Sequence, residues 1–137
     1  MIGYKFGACD YNGNVANCLI TLEIPDDAII INPFSSNKLR CDKALVKRIQ
    51  KVTLTAESVT DDMDITFEVK YNDISEAINM FKYNDQVKYV VGSMVYPDYL
   101  ETDMKKDCAN GINFFSTEEE AFEFYIITAL YNSSNVP

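Results

Sequence analysis

Residues 10–25 read Asp10-Tyr11-Asn12-Gly13-Asn14-Val15-Ala16-Asn17-Cys18-Leu19-Ile20-Thr21-Leu22-Glu23-Ile24-Pro25. Asn12-Gly13 is the strongest short hairpin signal, because both residues tolerate positive φ. Behind it, Cys18, Ile20, Leu22 and Ile24 point one way and Asn17, Leu19, Thr21 and Glu23 the other, the alternation of a half-buried strand with Leu19 as its one impurity. Pro25 stops that strand. In front of the turn, residues 2–8 supply the partner strand. The chain therefore begins as an antiparallel hairpin with one face committed to a core.

The same logic extends along the chain. Residues 26–38 form a long loop interrupted by Pro33 and Phe34. Val52 and Leu54 alternate with Thr53 and Thr55, whereas residues 44–49 keep no single register, and a β-bulge there switches the faces. Residues 57–64 read as an acidic turn. Ile65, Phe67, Val69 and Tyr71 alternate with Thr66, Glu68 and Lys70, the clearest strand of the chain, with Phe67 and Val69 expected to be buried. Asp73 is expected to open a short helix, since Ile74, Ala77, Ile78 and Phe81 fall at i, i+3, i+4 and i+7. Val87, Tyr89 and Val91 begin another strand, Gly92 interrupts it, and Pro97 ends it. Residues 98–107 are polar and weakly periodic.

Near the C-terminus, Gly111 relaxes the backbone before the apolar run Ile112-Asn113-Phe114-Phe115. Ser116 and Thr117 each qualify as an N-cap, with Glu119 and Glu120 as capping-box partners. Glu118, Glu119 and Glu120 place negative charge at the favourable end of the helix dipole. That helix is expected over residues 118–131, with Ala121, Phe122, Tyr125 and Ala129 available for burial. Strands outnumber helices and turns join most neighbours. The expected fold class is α+β, a mainly antiparallel sheet with one or two helices packed on one face. Residues 1–131 form the single domain and 132–137 a frayed tail.

The chain has 137 residues, 47% of them apolar, enough for one buried core. Twelve Lys and Arg against 21 Asp and Glu give a net charge of −9, which argues against direct nucleic-acid binding. No apolar run approaches the roughly 20 residues that cross a bilayer, so no membrane partner is expected. The N-terminus shows no charged region followed by an apolar one, so no signal peptide is expected.

There is no histidine, which excludes Ser-His and Cys-His nucleophiles and any histidine-containing metal site. Cys9, Cys18, Cys41 and Cys108 are widely spaced without a C-x-x-C pair, and are expected to be reduced thiols packed as small apolar groups. Cys108, after Lys105-Lys106-Asp107, is the best thiolate candidate, but packing beside the Ile112–Phe115 run is the preferred explanation for it. Glycine-rich phosphate loops and the spacing of a calcium loop are absent. No catalytic residue, cofactor or metal is therefore assigned. The aromatic supply, nine tyrosines and eight phenylalanines, is generous. Tyr11, Phe34, Tyr96 and Tyr99 lie in loops or at strand ends and are the candidate interaction surface.

Several stretches together resemble one family: residues 22–28 (Leu-Glu-Ile-Pro-Asp-Asp-Ala), 40–44 (Arg-Cys-Asp-Lys-Ala), 89–92 (Tyr-Val-Val-Gly) with Pro97-Asp98, and Cys108 with residues 111–115 and Glu119-Glu120-Ala121. In order and content they resemble the domain of unknown function that accompanies pentapeptide repeats in giant-virus and phage proteins. The resemblance covers residues 4–125, and its last block is the most specific. Asn113 stands where that family usually has histidine, and no A-(D/N)-L-x-x pentapeptides are present. The resemblance implies a viral or phage origin, with the host cytoplasm or the virion as setting, and supplies no reaction, substrate or cofactor. The expectation is a non-enzymatic module that binds another protein, viral or host. The alternative is an acidic inhibitor that occupies the nucleic-acid groove of a host defence protein.

Overall fold

A computed structural model describes residues 1–59, 65–79, 87–107 and 109–134. β1 (Ile2–Tyr11) and β2 (Asn14–Glu23) pair antiparallel over their whole length, from Ile2↔Glu23 to Tyr11↔Asn14. At the turn, Asn12 and Gly13 have φ of 54° and 82°, the two positive values a type I′ hairpin requires. β3 (Ile30–Ile31) is a short strand inside the long loop read over residues 26–38, and β4 (Leu39–Cys41) closes that loop.

β5 (Ala44–Val59) pairs with β2, and the expected bulge falls at Lys47: Thr21 is opposite Arg48 while Leu22 is opposite Val46. The extra residue is why Val46 and Ile49, an odd distance apart, both reach the interior. β5 continues to Val59, so residues 57–59 of the expected acidic turn are strand instead; residues 60–64 lie outside the described residues. β6 (Ile65–Ile74) returns along β5.

The helix expected from Asp73 is instead strand. β6 runs to Ile74, and β7 (Glu76–Asn79) follows after the single residue Ser75. Phe81 lies outside the described residues. β8 (Lys88–Val90) pairs with β7, and β9 (Met94–Val95) with β5. β10 (Ile112–Phe114) joins β4 and β3 in a second, three-stranded antiparallel sheet. The architecture is mainly antiparallel β, with one helix among the described residues, α1 (Glu118–Ser134). That helix extends three residues past the boundary drawn at 131.

The order of the main sheet is β6-β5-β2-β1-β7-β8. β6 and β7 stand near its opposite ends, yet only Ser75 separates them, so the sheet must curl round on itself. Bonds from Gly92 N–H to the Val46 carbonyl (2.8 Å), Val46 N–H to the Ser93 carbonyl (3.0 Å) and Val91 N–H to the Ser75 carbonyl (3.0 Å) stitch the seam. Inside lie Cys18, Ile20, Leu22, Val46, Ile49, Ala77 and Tyr89, and the second sheet adds Cys41, Ile112 and Phe114 to the same core. The two sheets meet at β1, where Tyr4 and Phe115 exchange backbone bonds of 2.8 and 2.7 Å.

β1 presents Gly3, Lys5, Gly7 and Cys9 inward. A Cβ on Gly7 would sit 2.6 Å from the Ile78 carbonyl oxygen, and one on Gly3 2.5 Å from the Phe114 ring. Bare backbone is what lets the neighbouring strands approach so closely. On the outer face, Phe6 stacks on Tyr125 (4.5 Å between centroids, planes 9° apart) and meets Phe122 edge-on at 4.9 Å. Phe6, Leu19, Val52, Phe115 and Ala121 form this second cluster, with Phe122, Phe124 and Tyr125 packed against it. Thr117 caps α1, accepting from the Glu120 N–H at 3.1 Å while its hydroxyl donates to the Glu120 carboxylate at 2.9 Å. The Ser116 hydroxyl adds a second donor to that carboxylate at 3.1 Å.

Ile20 and Leu22 are fully buried, as their alternation required. Val69 is not: it is 39% exposed, because β5 and β6 run on past Lys51, the last residue paired to β2, as a two-stranded ribbon. The Phe67 side chain lies outside what is described.

Phe6→Ala removes the ring that both Phe122 and Tyr125 pack against. Equilibrium denaturation should show a loss of about 3–5 kcal/mol.

Candidate functional site

Arg40 sits in the middle strand of the small sheet, opposite Ile31 on one side and Asn113 on the other. It is fully buried and makes no ion pair within 4 Å among the described residues. Its guanidinium instead donates to three backbone carbonyls of one loop: Nε to Glu101, Nη1 to Lys106 and Nη2 to Asp103, each at 2.7 Å. A planar fork of donors suits three carbonyls arranged around it, a geometry that an ammonium cannot reproduce.

The loop is tied further from outside. The Phe34 N–H donates to the Met104 carbonyl at 3.0 Å, and the Ser35 hydroxyl to both Asp107 carboxylate oxygens at 3.0 Å. The Glu101 N–H reaches the Asn110 carbonyl at 2.9 Å, and the Asn110 side-chain amide donates to the Tyr99 hydroxyl at 2.6 Å. Residues 33–38 and 99–107, with Asn110, thus form one lobe around a buried cation.

The four aromatic candidates separate on this frame. Phe34 and Tyr99 belong to the lobe and are 72% and 56% exposed. Tyr96, 62% exposed, lies at the end of β9 before Pro97, near the Lys43 ammonium, which pairs with Asp27 at 2.6 Å. Tyr11 is elsewhere, beside the β1–β2 turn, half-buried with the Lys51 ammonium 3.8 Å above its ring. Cys108 lies outside the described residues.

Sequence reasoning did not find Arg40, Lys5 or Asn113 as buried polar groups. Lys5 lies between Gly3 and Gly7 on the inner face of β1 and is buried. Its Nζ donates to the Tyr89 hydroxyl at 2.7 Å and stands 4.8 Å from that ring's centroid. Burial, with Lys38 nearby, lowers its pKa from 10.5 to about 7. Burial also pushes the Cys18 thiol up to about 12 and Cys41 to about 11. These thiols are packed, unreactive groups at neutral pH. Asn113 donates weakly to the Ala109 and Gly111 carbonyls, each at 3.3 Å, and its Oδ1 is buried without a partner among the described residues. Among the described residues no three Cys, Asp or Glu side chains converge as a metal site.

This geometry defines a small β domain carrying a pinned aromatic lobe. A model of the family of unknown function DUF5758 matches residues 1–121, and the chain belongs to that family. It is also 32% identical over 108 residues to the uncharacterized protein L223 of Acanthamoeba polyphaga mimivirus, an alignment that covers 75% of this chain and 59% of that protein. The chain thus spans little more than half the length of this giant-virus relative. No solved structure matches. No helix among the described residues is long and apolar enough to cross a membrane.

Arg40→Leu leaves three carbonyls without their donor, and Arg40→Lys cannot reach all three. Both should cost at least ~2 kcal/mol and expose residues 99–107 to limited proteolysis at protease concentrations that spare the parent protein.

Lys5 gives a pH signature. Between pH 7 and 10.5 its amine is charged in the unfolded chain and neutral in the native one, so the unfolded state binds more protons and stability rises with pH. The raised thiols of Cys9, Cys18 and Cys41 oppose this in part as the pH nears and passes their ordinary value of 9. With no histidine to titrate nearby, denaturation at pH 7 and 9 should show a gain of about 1–2 kcal/mol. Lys5→Met should abolish that gain.

Proposed function

We propose that this viral-type domain is a non-enzymatic module that binds another protein, viral or host, on the lobe around Arg40. Phe34 and Tyr99 are its anchors and Tyr96 flanks them. The observation that carries this reading is the combination of large exposed rings with a backbone fixed from beneath. Rings held on a pre-ordered loop lose little freedom on binding, and aromatic side chains dominate the energetics of protein interfaces. The buried thiols and the inward-facing lysine are both placed for packing rather than for contact with a substrate.

The disposition of charge favours aromatic anchors over nucleic-acid mimicry. Several carboxylates spread over the body are engaged with cations: Glu23 with Lys47, Asp27 with Lys43, Asp73 with Arg48 and Glu76 with Lys88. A mimic of a phosphate backbone would need a row of unpaired carboxylates on one face.

Affinity capture from host lysate with the native protein and with Phe34→Ala/Tyr96→Ala/Tyr99→Ala tests this. The variant should keep its circular dichroism spectrum and lose the specific partner. Retention should change little between low and physiological salt. Capture that collapses over that salt range and is displaced by nucleic acid would support the inhibitor reading instead.

A further inference from the structure

Among the described residues, the β5–β6 ribbon leaves one long strand edge open. Among the described residues β6 pairs only with β5, through a ladder from Ile49↔Ile74 to Val59↔Ile65. The outer edge of β5 beyond Lys51 is also unpaired, but there the strand is broken by a second register shift between Ala56 and Ser58. A bulge bends a strand and spoils it as a template. β6 has no such interruption over its ten residues. Its ribbon face shows Leu54, Val69 and Tyr71, each more than one-third exposed.

The sequence of this edge specifies what fits it. Phe67-Glu68-Val69-Lys70-Tyr71 is a charge palindrome about Val69. Directly opposed residues in a continuous antiparallel sheet share a face, so two copies of β6 related by a two-fold axis pair with an even sum of residue numbers. Centred on Val69, Glu68 of each copy lies opposite Lys70 of the other, Val69 meets Val69, and Phe67 is in register with Tyr71. Shifting the centre by one residue opposes Glu68 to Glu68 or Lys70 to Lys70. Like charges directly opposite destabilise such a pair, whereas opposite charges support it. Within one chain Glu68 and Lys70 already pair at 3.7 Å, with the Lys70 side chain largely in solvent and that of Glu68 partly so. Pairing two copies joins them into a four-charge square.

We infer that the protein forms a two-fold symmetric dimer by antiparallel addition of β6 to β6, centred on Val69. The Glu68–Lys70 alternation acts as the register lock, and the two ribbons merge into one four-stranded sheet. The surface is distinct from the aromatic lobe, so the dimer presents two lobes at once.

Sedimentation velocity over roughly micromolar to 100 µM protein tests this, the range expected for a small interface. The native protein should show a concentration-dependent dimer. Glu68→Lys and Lys70→Glu should each weaken it at least ~10-fold, because each puts like charges opposite. The double exchange Glu68→Lys/Lys70→Glu should restore it, since complementarity returns with the signs reversed. A native protein that stays monomeric throughout, single variants that associate as tightly as the parent, or a double exchange that restores nothing would each overturn the inference. Val69→Cys provides a check independent of charge: opposed Cα atoms in such a pair are close enough for a disulfide, so mild oxidation should yield a covalent dimer. A covalent dimer supports the pairing; persistent monomer refutes it.

Discussion

Pairing of β1 along both edges is the constraint on which the rest of the molecule depends. One edge carries the full ladder to β2; the other is shared between Phe115, bonded to Tyr4, and β7, paired at Gly7 and Ala8. Those two contacts bring the second sheet and the returning end of the main sheet to the same strand. Because both press against its inner face, that face has glycine at positions 3 and 7, and the lysine between them is enclosed. Because its outer face is left clear, Phe6 can receive Phe122 and Tyr125 of the helix. Curling of the sheet, burial of Lys5 and seating of α1 are three results of one strand being hemmed in.

The parts legible in the sequence are those where a local rule and the tertiary structure agree. Asn12-Gly13 demanded a tight hairpin and obtained one. The alternation of β2 matched a strand with one face on the core, and the lost register before Val52 was a real bulge at Lys47. Thr117 and Glu120 capped the helix as their spacing required. Where the chain turns a corner, the same reasoning misled. Ile74 ends one strand and Ala77 lies in the next, and the intervening Ser75 breaks the two-residue period. The resulting spacing of 74, 77 and 78 imitates a helical stripe, although Ala77 is buried and Ile78 exposed. Val69 shows a different limit: alternation identifies a face suited to burial without identifying what covers it.

Of the candidate site, the rings were legible and their support was not. Phe34, Tyr96 and Tyr99 stood out as aromatics beside prolines or in polar loops. Nothing local marked Arg40 as the centre of the lobe, since its partners are carbonyls more than 60 positions downstream, and every residue has a carbonyl. Lys5 was equally hidden, because its hydroxyl partner is a tyrosine 84 residues away. A charged side chain satisfied by backbone or by a distant hydroxyl has no signature in composition or periodicity.

The way Arg40 holds its loop also separates shape from chemistry in that part of the molecule. Its three bonds end on main-chain oxygens, so the identities of the side chains at positions 101, 103 and 106 do not enter into them. The exposed positions between them, 102 and 105, can change charge, size or polarity while the loop keeps its path, whereas Asp103 accepts from the Lys105 N–H at 3.0 Å and Lys106 pairs with Glu101 at 3.6 Å. The lobe is therefore a surface on which new residues can be tried at little structural cost, with one buried guanidinium keeping the form constant. For a chain akin to a virus-encoded protein, this arrangement allows the surface of the lobe to drift without requiring the fold to be rebuilt.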